Sequence, residues 1–165
     1  MTGAPPQVNG VYGYGYRSTD SKTLFDLAAE GGRSVTAVEG HSLAFGLQNA
    51  NVILSGDRDG DGFTNDNVLV NSLRVIGDGM PDLLFIHFHD VDDQGHSYGP
   101  DSPEYEAAII RVDKYLAQIY QALPVNTFII IFSDHGMQND PTSTGGNHGG
   151  LTLSAMTIPI IFLEK

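Results

Sequence analysis

Along this chain, unbroken apolar runs and helical apolar stripes are separated by polar gaps. Asp82-Leu83-Leu84-Phe85-Ile86-His87-Phe88-His89 is one run, and Thr127-Phe128-Ile129-Ile130-Ile131-Phe132 is a second. Ser34-Val35-Thr36-Ala37-Val38 is a shorter third. Runs of this length, rich in β-branched and aromatic residues, suit strands buried on both faces of a parallel sheet. Between the first two, Tyr105, Ile109, Val112, Leu116, Ile119 and Leu123 recur at three- and four-residue spacing, the stripe of an amphipathic helix. Ser102 suits its N-cap, and Pro103 suits its first helical position. A shorter helix is predicted from a cap at Asp20 or Ser21 to about Glu30, with Gly31-Gly32 ending it. Another places Leu69, Leu73 and Ile76 on one face. Thr157 to Leu163 reads as a closing strand. Its Pro159 cannot donate a ladder hydrogen bond, which predicts an edge or a bulge. Residues 1–19 and 55–67 read as loop. Strands alternating with helices predict an α/β fold with a parallel or mixed sheet. At 165 residues, 1–165 reads as one domain with its own core.

Chemistry-bearing residues gather just past the two long runs. Asp92 and His96 follow the first and lie four residues apart, as on one helical face or in a tight loop. Asp134 and His135 follow the second directly. His148 stands in a glycine-rich loop, Asn147-His148-Gly149-Gly150. The carboxyl ends of strands are where open α/β sheets place their sites. Each pair is weak alone, because such spacings arise often by chance. Together they form a borderline-hard ligand set suited to zinc or a similar divalent ion. His87 and His89 would share one face of a strand as packed residues, with His89 near enough to support a ligand. His41 follows the strand at 34–38 and reads as loop. Asp57, Asp59, Asp61 and Gly62 match the opening of a calcium loop, D-x-D-x-D-G. The twelfth position, which would want a bidentate Glu, is Val68, although Asp66 lies close by. A calcium site and a polar turn both remain open there.

Charge narrows the partners. Eight Lys and Arg against twenty Asp and Glu leave a net charge of −12. That argues against a nucleic-acid duplex as partner, since phosphate backbones need clustered cations. It would also repel an anionic substrate, unless bound divalent ions reverse the sign locally. The absence of cysteine removes thiolate nucleophiles and thiolate metal sites. No apolar run approaches the ~20 residues that span a bilayer, and no signal peptide is visible.

These motifs resemble, in order, those of the alkaline phosphatase superfamily, in its type I phosphodiesterase/nucleotide pyrophosphatase branch. Thr2-Gly3-Ala4-Pro5-Pro6-Gln7-Val8-Asn9-Gly10 is similar to that branch's T-G-x-x-P-x-x-[HN]-G segment. Asp92-x-x-Gly95-His96-x-x-Gly99-Pro100 resembles its D-x-x-G-H-x-x-G-P motif. Ser133-Asp134-His135-Gly136-Met137 matches its S-D-H-G-M, and His148-Gly149-Gly150 sits where its last ligand histidine is expected.

The resemblance implies a three-layer α-β-α fold with a mostly parallel sheet, alkaline-phosphatase-like and incomplete at the N-terminus. It implies two divalent metal ions, zinc or alternatively manganese. Asp92, His96 and His148 would hold one, and Asp134 and His135 the other. Two ions ~3.5–4 Å apart can clamp the attacking and leaving oxygens of an in-line displacement. The implied activity is hydrolysis of a phosphate-ester small molecule, in a location outside the cytoplasm. The family's Ser or Thr nucleophile, and a further Asp ligand, lie before the T-G-x-x-P segment and hence before Met1. The chain therefore reads as a fragment of an enzyme, inactive alone. A missing upstream strand would leave a sheet edge open to a homo-oligomer. Two other readings share the ligand pattern. One is a relative of the cofactor-independent phosphoglycerate mutases or phosphonate hydrolases. The other is a metal-binding module without catalysis.

Overall fold

A computed structural model describes residues 2–12, 19, 21–40, 47 and 49–165. His41 and Asp20, each singled out from the sequence, lie outside them. The architecture is α/β, in two compact units, Met1–His87 and Phe88–Lys165.

The first unit opens with a helical turn, α1 (Pro6–Asn9), and a helix, α2 (Leu24–Glu30). The cap of α2 is Thr23, further along than the sequence suggests. Thr23 Oγ1 accepts from the Asp26 amide at 3.2 Å, and Asp26 Oδ2 accepts from the Thr23 amide at 2.8 Å. This reciprocal pair satisfies two amides that the helix start would otherwise leave open. The helix then stops at Gly31, and Gly32 takes φ +70°. Strand β1 (Val35–Glu39) is buried along its whole length, as the centre of a parallel sheet must be. It pairs on one side with β2 (Asn51–Leu54), which the sequence reading missed. On the other side lies a third strand, reached through helix α3 (Asn65–Gly79). That strand is β3 (Leu83–Ile86), and the parallel order is β2-β1-β3. Helix α3 begins inside the predicted loop and buries Val68, Leu69, Ser72 and Ile76. With Phe25, Val35, Ala37 and Val38 these form the core of the unit. At the strand starts, Asp82 accepts from the Ser34 amide and hydroxyl, both at 2.8 Å. That clamp sets the register of β1 against β3.

The predicted run through His89 is shorter as a strand, ending at Ile86. His87 still donates its amide to Val38 O, and its ring stacks on Phe85. His89 has helical φ and ψ and stands at the N-cap of the next helix, so it does not alternate on a strand with His87.

The second unit starts with that helix, α4 (Asp90–Tyr98), followed by α5 (Pro103–Ala122). The expected cap of α5 is present: Ser102 Oγ accepts from the Tyr105 amide at 3.2 Å, and Pro103 opens the helix. Strand β4 (Phe128–Phe132) leads into a short hairpin, β5 (Gln138–Asn139) with β6 (Gly146–Asn147). A helical turn, α6 (Leu153–Met156), and strand β7 (Ile160–Glu164) complete the chain. β7 runs antiparallel to β4, pairing Ile131 with Ile161. It begins one residue after Pro159, so the missing N–H falls outside the ladder. Among the described residues, no helix is long and apolar enough to cross a membrane.

Candidate metal centre

Three histidines of the second unit meet at Asp92. The carboxylate lies in the first turn of α4, and His96 follows one turn later on the same face. His96 Nε2 stands 3.5 Å from Asp92 Oδ2. The other oxygen, Oδ1, faces two more rings, with His135 Nε2 at 3.8 Å and His148 Nε2 at 3.7 Å. Ligand atoms of Asp92, His135 and His148 all lie within 4.8 Å of one another. The ring centroids of His135 and His148 are 3.7 Å apart, and those of His148 and His96 4.8 Å apart.

Second partners fix the ring orientation. His96 Nδ1 lies 2.9 Å from Gly146 O, and His135 Nδ1 lies 3.0 Å from Gly136 O. A carbonyl oxygen only accepts, so Nδ1 carries the proton in each neutral ring. The lone pair is then left on Nε2, the atom that faces Asp92. Backbone carbonyls commonly orient metal-binding imidazoles in this way. Asp92 Oδ1 is buried and has no hydrogen-bond donor. A buried carboxylate oxygen facing imidazole lone pairs lacks a positive partner. A divalent ion supplies one, and a carboxylate with Nε2 donors suits zinc or a similar metal. Burial first, then the neighbouring His135, hold His148 below the usual imidazole range. This favours the neutral ring that a metal requires.

Asp134 sits at the rim of this group. Its side chain is 61% exposed, with Oδ2 3.7 Å from His135 Nε2 and Oδ1 accepting from the His135 amide at 3.1 Å. His135, read from sequence as Asp134's partner, is thus also within reach of Asp92. His89 Nε2 pairs with Asp93 Oδ1 at 3.4 Å.

Glycines allow the elements to approach so closely. A Cβ at Gly145 would lie 1.9 Å from His96 O, so the β5–β6 hairpin can press against α4 only with glycine there. A Cβ at Gly95 would fall 2.7 Å from Met137 Cε and 3.1 Å from Tyr105 Cε2. The sequence signal for Gly95 was its place inside the ligand motif. Gly145 carried no such signal.

The family model for type I phosphodiesterase / nucleotide pyrophosphatase matches residues 49–148, a span that contains all five residues of this site. The chain belongs to that family. Among curated relatives, it is 34% identical over 88 residues to the human GPI ethanolamine phosphate transferase 3, catalytic subunit. That match covers 53% of this chain and 8% of the relative. It is also 34% identical over 84 residues to GPI ethanolamine phosphate transferase 2 of Schizosaccharomyces pombe, covering 47% of this chain and 11% of that protein. The chain therefore spans about a tenth of the length of the curated relatives it matches. Among solved structures, it is similar to murine ectonucleotide pyrophosphatase / phosphodiesterase 5, in an inactive form in complex with AMP. The TM-score is 0.51 at 23% identity, covering 72% of this chain and 33% of the other. That likeness shows a shared, alkaline-phosphatase-like fold.

Two further segments of this family member come from the first unit. The T-G-x-x-P-x-x-N stretch closes on itself, with Asn9 Nδ2 donating to Thr2 Oγ1 at 3.0 Å and to Ala4 O at 2.7 Å. Thr2 is thus occupied within its own motif. In the acidic loop, the carboxylates of Asp57, Asp59 and Asp61 also come within 4.8 Å of one another. Asp57 is turned onto its own loop, accepting from the amides of Gly60 at 2.7 Å and Gly62 at 3.0 Å. Those bonds, Gly60 first, lower its pKa. Asp66 does not belong to this group. It lies in the first turn of α3 and accepts from the Asn67 amide and side chain.

Proposed function

We propose that this chain carries part of the metal centre of an enzyme that cleaves phosphoric diesters. The buried Asp92 Oδ1, flanked by His135 and His148 with no donor of its own, is the observation that carries this reading. Asp92, His135 and His148 would hold one ion, with His96 closing the set through the other carboxylate oxygen. Asp134, at the rim beside His135, is what this chain offers a second. When bound, such ions supply positive charge to polarise phosphoryl oxygens and stabilise the charge that develops on them. The protein's own part is positional. Gly146 O and Gly136 O hold two rings with Nε2 inward, and α4 sets Asp92 and His96 one turn apart. The local cations would also counter the net charge of −12, which otherwise disfavours an anionic ester.

A second reading shares this centre and differs in the acceptor. The curated relatives are named as ethanolamine phosphate transferases, at 34% identity for the human and fission-yeast examples. In that reading a phosphoryl-linked group passes to an alcohol instead of water. Hydrolysis remains the leading reading, since the family model is that of phosphodiesterases.

Calorimetric titration of residues 1–165 with zinc, beside an Asp92→Ala variant, tests the shared centre. Saturable binding that the variant loses is expected. Equal heats from both proteins would overturn the assignment. Turnover of a nitrophenyl phosphodiester, with and without an added alcohol acceptor, separates water from alcohol as the acceptor.

A further inference from the structure

His148 is the ligand furthest in sequence from Asp92, and it stands in a loop with glycine on its C-terminal side, at 149 and 150. Such a loop does not by itself hold a ring in one place. One side chain brackets it. Gln138 lies directly across the hairpin from Asn147, and its Nε2 donates to Asn147 Oδ1 at 2.8 Å. Its Oε1 accepts from the hydroxyl of Thr152. Thr152 Oγ1 in turn accepts from the Ala155 amide at 3.3 Å, capping α6. The hydroxyl is therefore used as donor on one side and acceptor on the other. Both ends of the carboxamide are engaged, one just before His148 and the other four residues after it. Gly150 passes beneath the same group, where a Cβ would be 3.4 Å from Gln138 Nε2. Gln138 itself follows Met137, which packs on Gly95 between the two α4 ligands. One segment, 135–138, thus supplies a ligand, buttresses α4 and closes the His148 loop.

We propose that Gln138 is the positioning residue for His148, fixing that ring at Asp92 by tying Asn147 and Thr152 to one carboxamide. The proposal rests on the metal-centre reading above for its consequence, and on the hydrogen bonds for its geometry. Gln138 touches no ligand atom and acts only through the loop. Its side chain must offer hydrogen bonds in two directions. Leucine, of similar size, offers none. Glutamate keeps the bond from Thr152 and loses the donor that reaches Asn147, whose own amide faces Asp140.

The test uses the full 1–165 chain, with zinc as the probe. Gln138→Leu is expected to weaken zinc binding by about tenfold, the lower end for loss of a ligand-orienting partner. Gln138→Glu, which keeps the bond from Thr152 alone, is expected to recover part of it. In a His148→Ala background, Gln138→Leu should cause no further loss, because the ring it positions is gone. A general fault in folding would weaken binding in both backgrounds, and that result would overturn the proposal. Amide hydrogen exchange supplies a readout that needs no metal. Gln138→Leu should raise exchange at 147–152 and leave β4 and β7 unchanged. If wild-type protein takes up no zinc, the metal reading fails, and the exchange arm alone decides whether Gln138 holds the loop. Unchanged exchange at 147–152 would overturn the proposal whatever zinc does.

Discussion

His148 lies face to face with His135, their ring centroids 3.7 Å apart and their planes 19° from parallel. Two imidazoles stacked so closely repel if both carry a proton, and burial adds to the cost for His148. Its lowered pKa follows from these two causes, burial first. Below its usual value of about 6.5, the unfolded chain then binds more protons at this residue than the folded chain does.

The sign of the pH effect follows directly. Stability of the metal-free protein should fall as pH drops through and below that value, and recover above it. Zinc affinity should fall over the same range, because protons compete for Nε2. Urea melts of wild type and His148→Gln across this range check the first part. A slope that the variant does not flatten would show that another group is responsible.

Gly145→Ala places a methyl group 1.9 Å from His96 O. Backbone cannot yield as a flexible side chain would, so the hairpin must back away from α4. A cost of about 1–3 kcal/mol is expected, as for other overpacked contacts. His96 should lose its partner Gly146 O at the same time. Denaturant midpoint and zinc affinity should therefore fall together in this one variant. A normal midpoint would mean that the contact relaxes without cost.

Thr23→Ala removes one half of the capping box of α2 and should cost about 1 kcal/mol in thermal or urea unfolding. Asp26, the other half, has its pKa lowered chiefly by the Thr23 amide, then by the Thr23 hydroxyl. Its contribution is thus present above the ordinary value of 3.8 and is lost as pH falls through the lowered one. Asp26→Asn should blunt the acid limb of the stability curve. An unchanged acid limb would remove Asp26 from the explanation.

Calcium should bind the 57–61 loop weakly, with a dissociation constant no tighter than about 10⁻⁴ M, the range of loops with few charged ligands. Asp57 already accepts from two amides of its own loop. The twelfth residue, Val68, is a buried part of α3. Calorimetry on wild type and an Asp59→Ala, Asp61→Ala double variant provides the check. Submicromolar affinity lost in the double variant would contradict this.

How far the sequence revealed the molecule depends on whether a local signal exists. Asp92 and His96 were legible because a four-residue spacing has a definite meaning on a helix. Ser102-Pro103 announced α5 because cap and first-turn chemistry are local. Thr23 was legible in principle, since an acid three residues on completes a capping box, but Asp20 and Ser21 drew attention first. Strand β2 was missed because Asn51–Leu54 is too short for a period to show. The direction of β7 was not legible, because an apolar run looks the same in a parallel or an antiparallel pair. Gln138 was invisible for another reason. Its role depends on Asn147 and Thr152, which only the hairpin brings to it.

The two ring orientations described for His96 and His135 are set by main-chain oxygens, those of Gly146 and Gly136. No side chain can be deleted to remove either hydrogen bond. Substitution can reach those two bonds only by moving the chain itself, as a bulky residue at 145 would. The centre should accordingly tolerate many exchanges around it with little change in which nitrogen meets a metal, and then fail abruptly once the hairpin shifts.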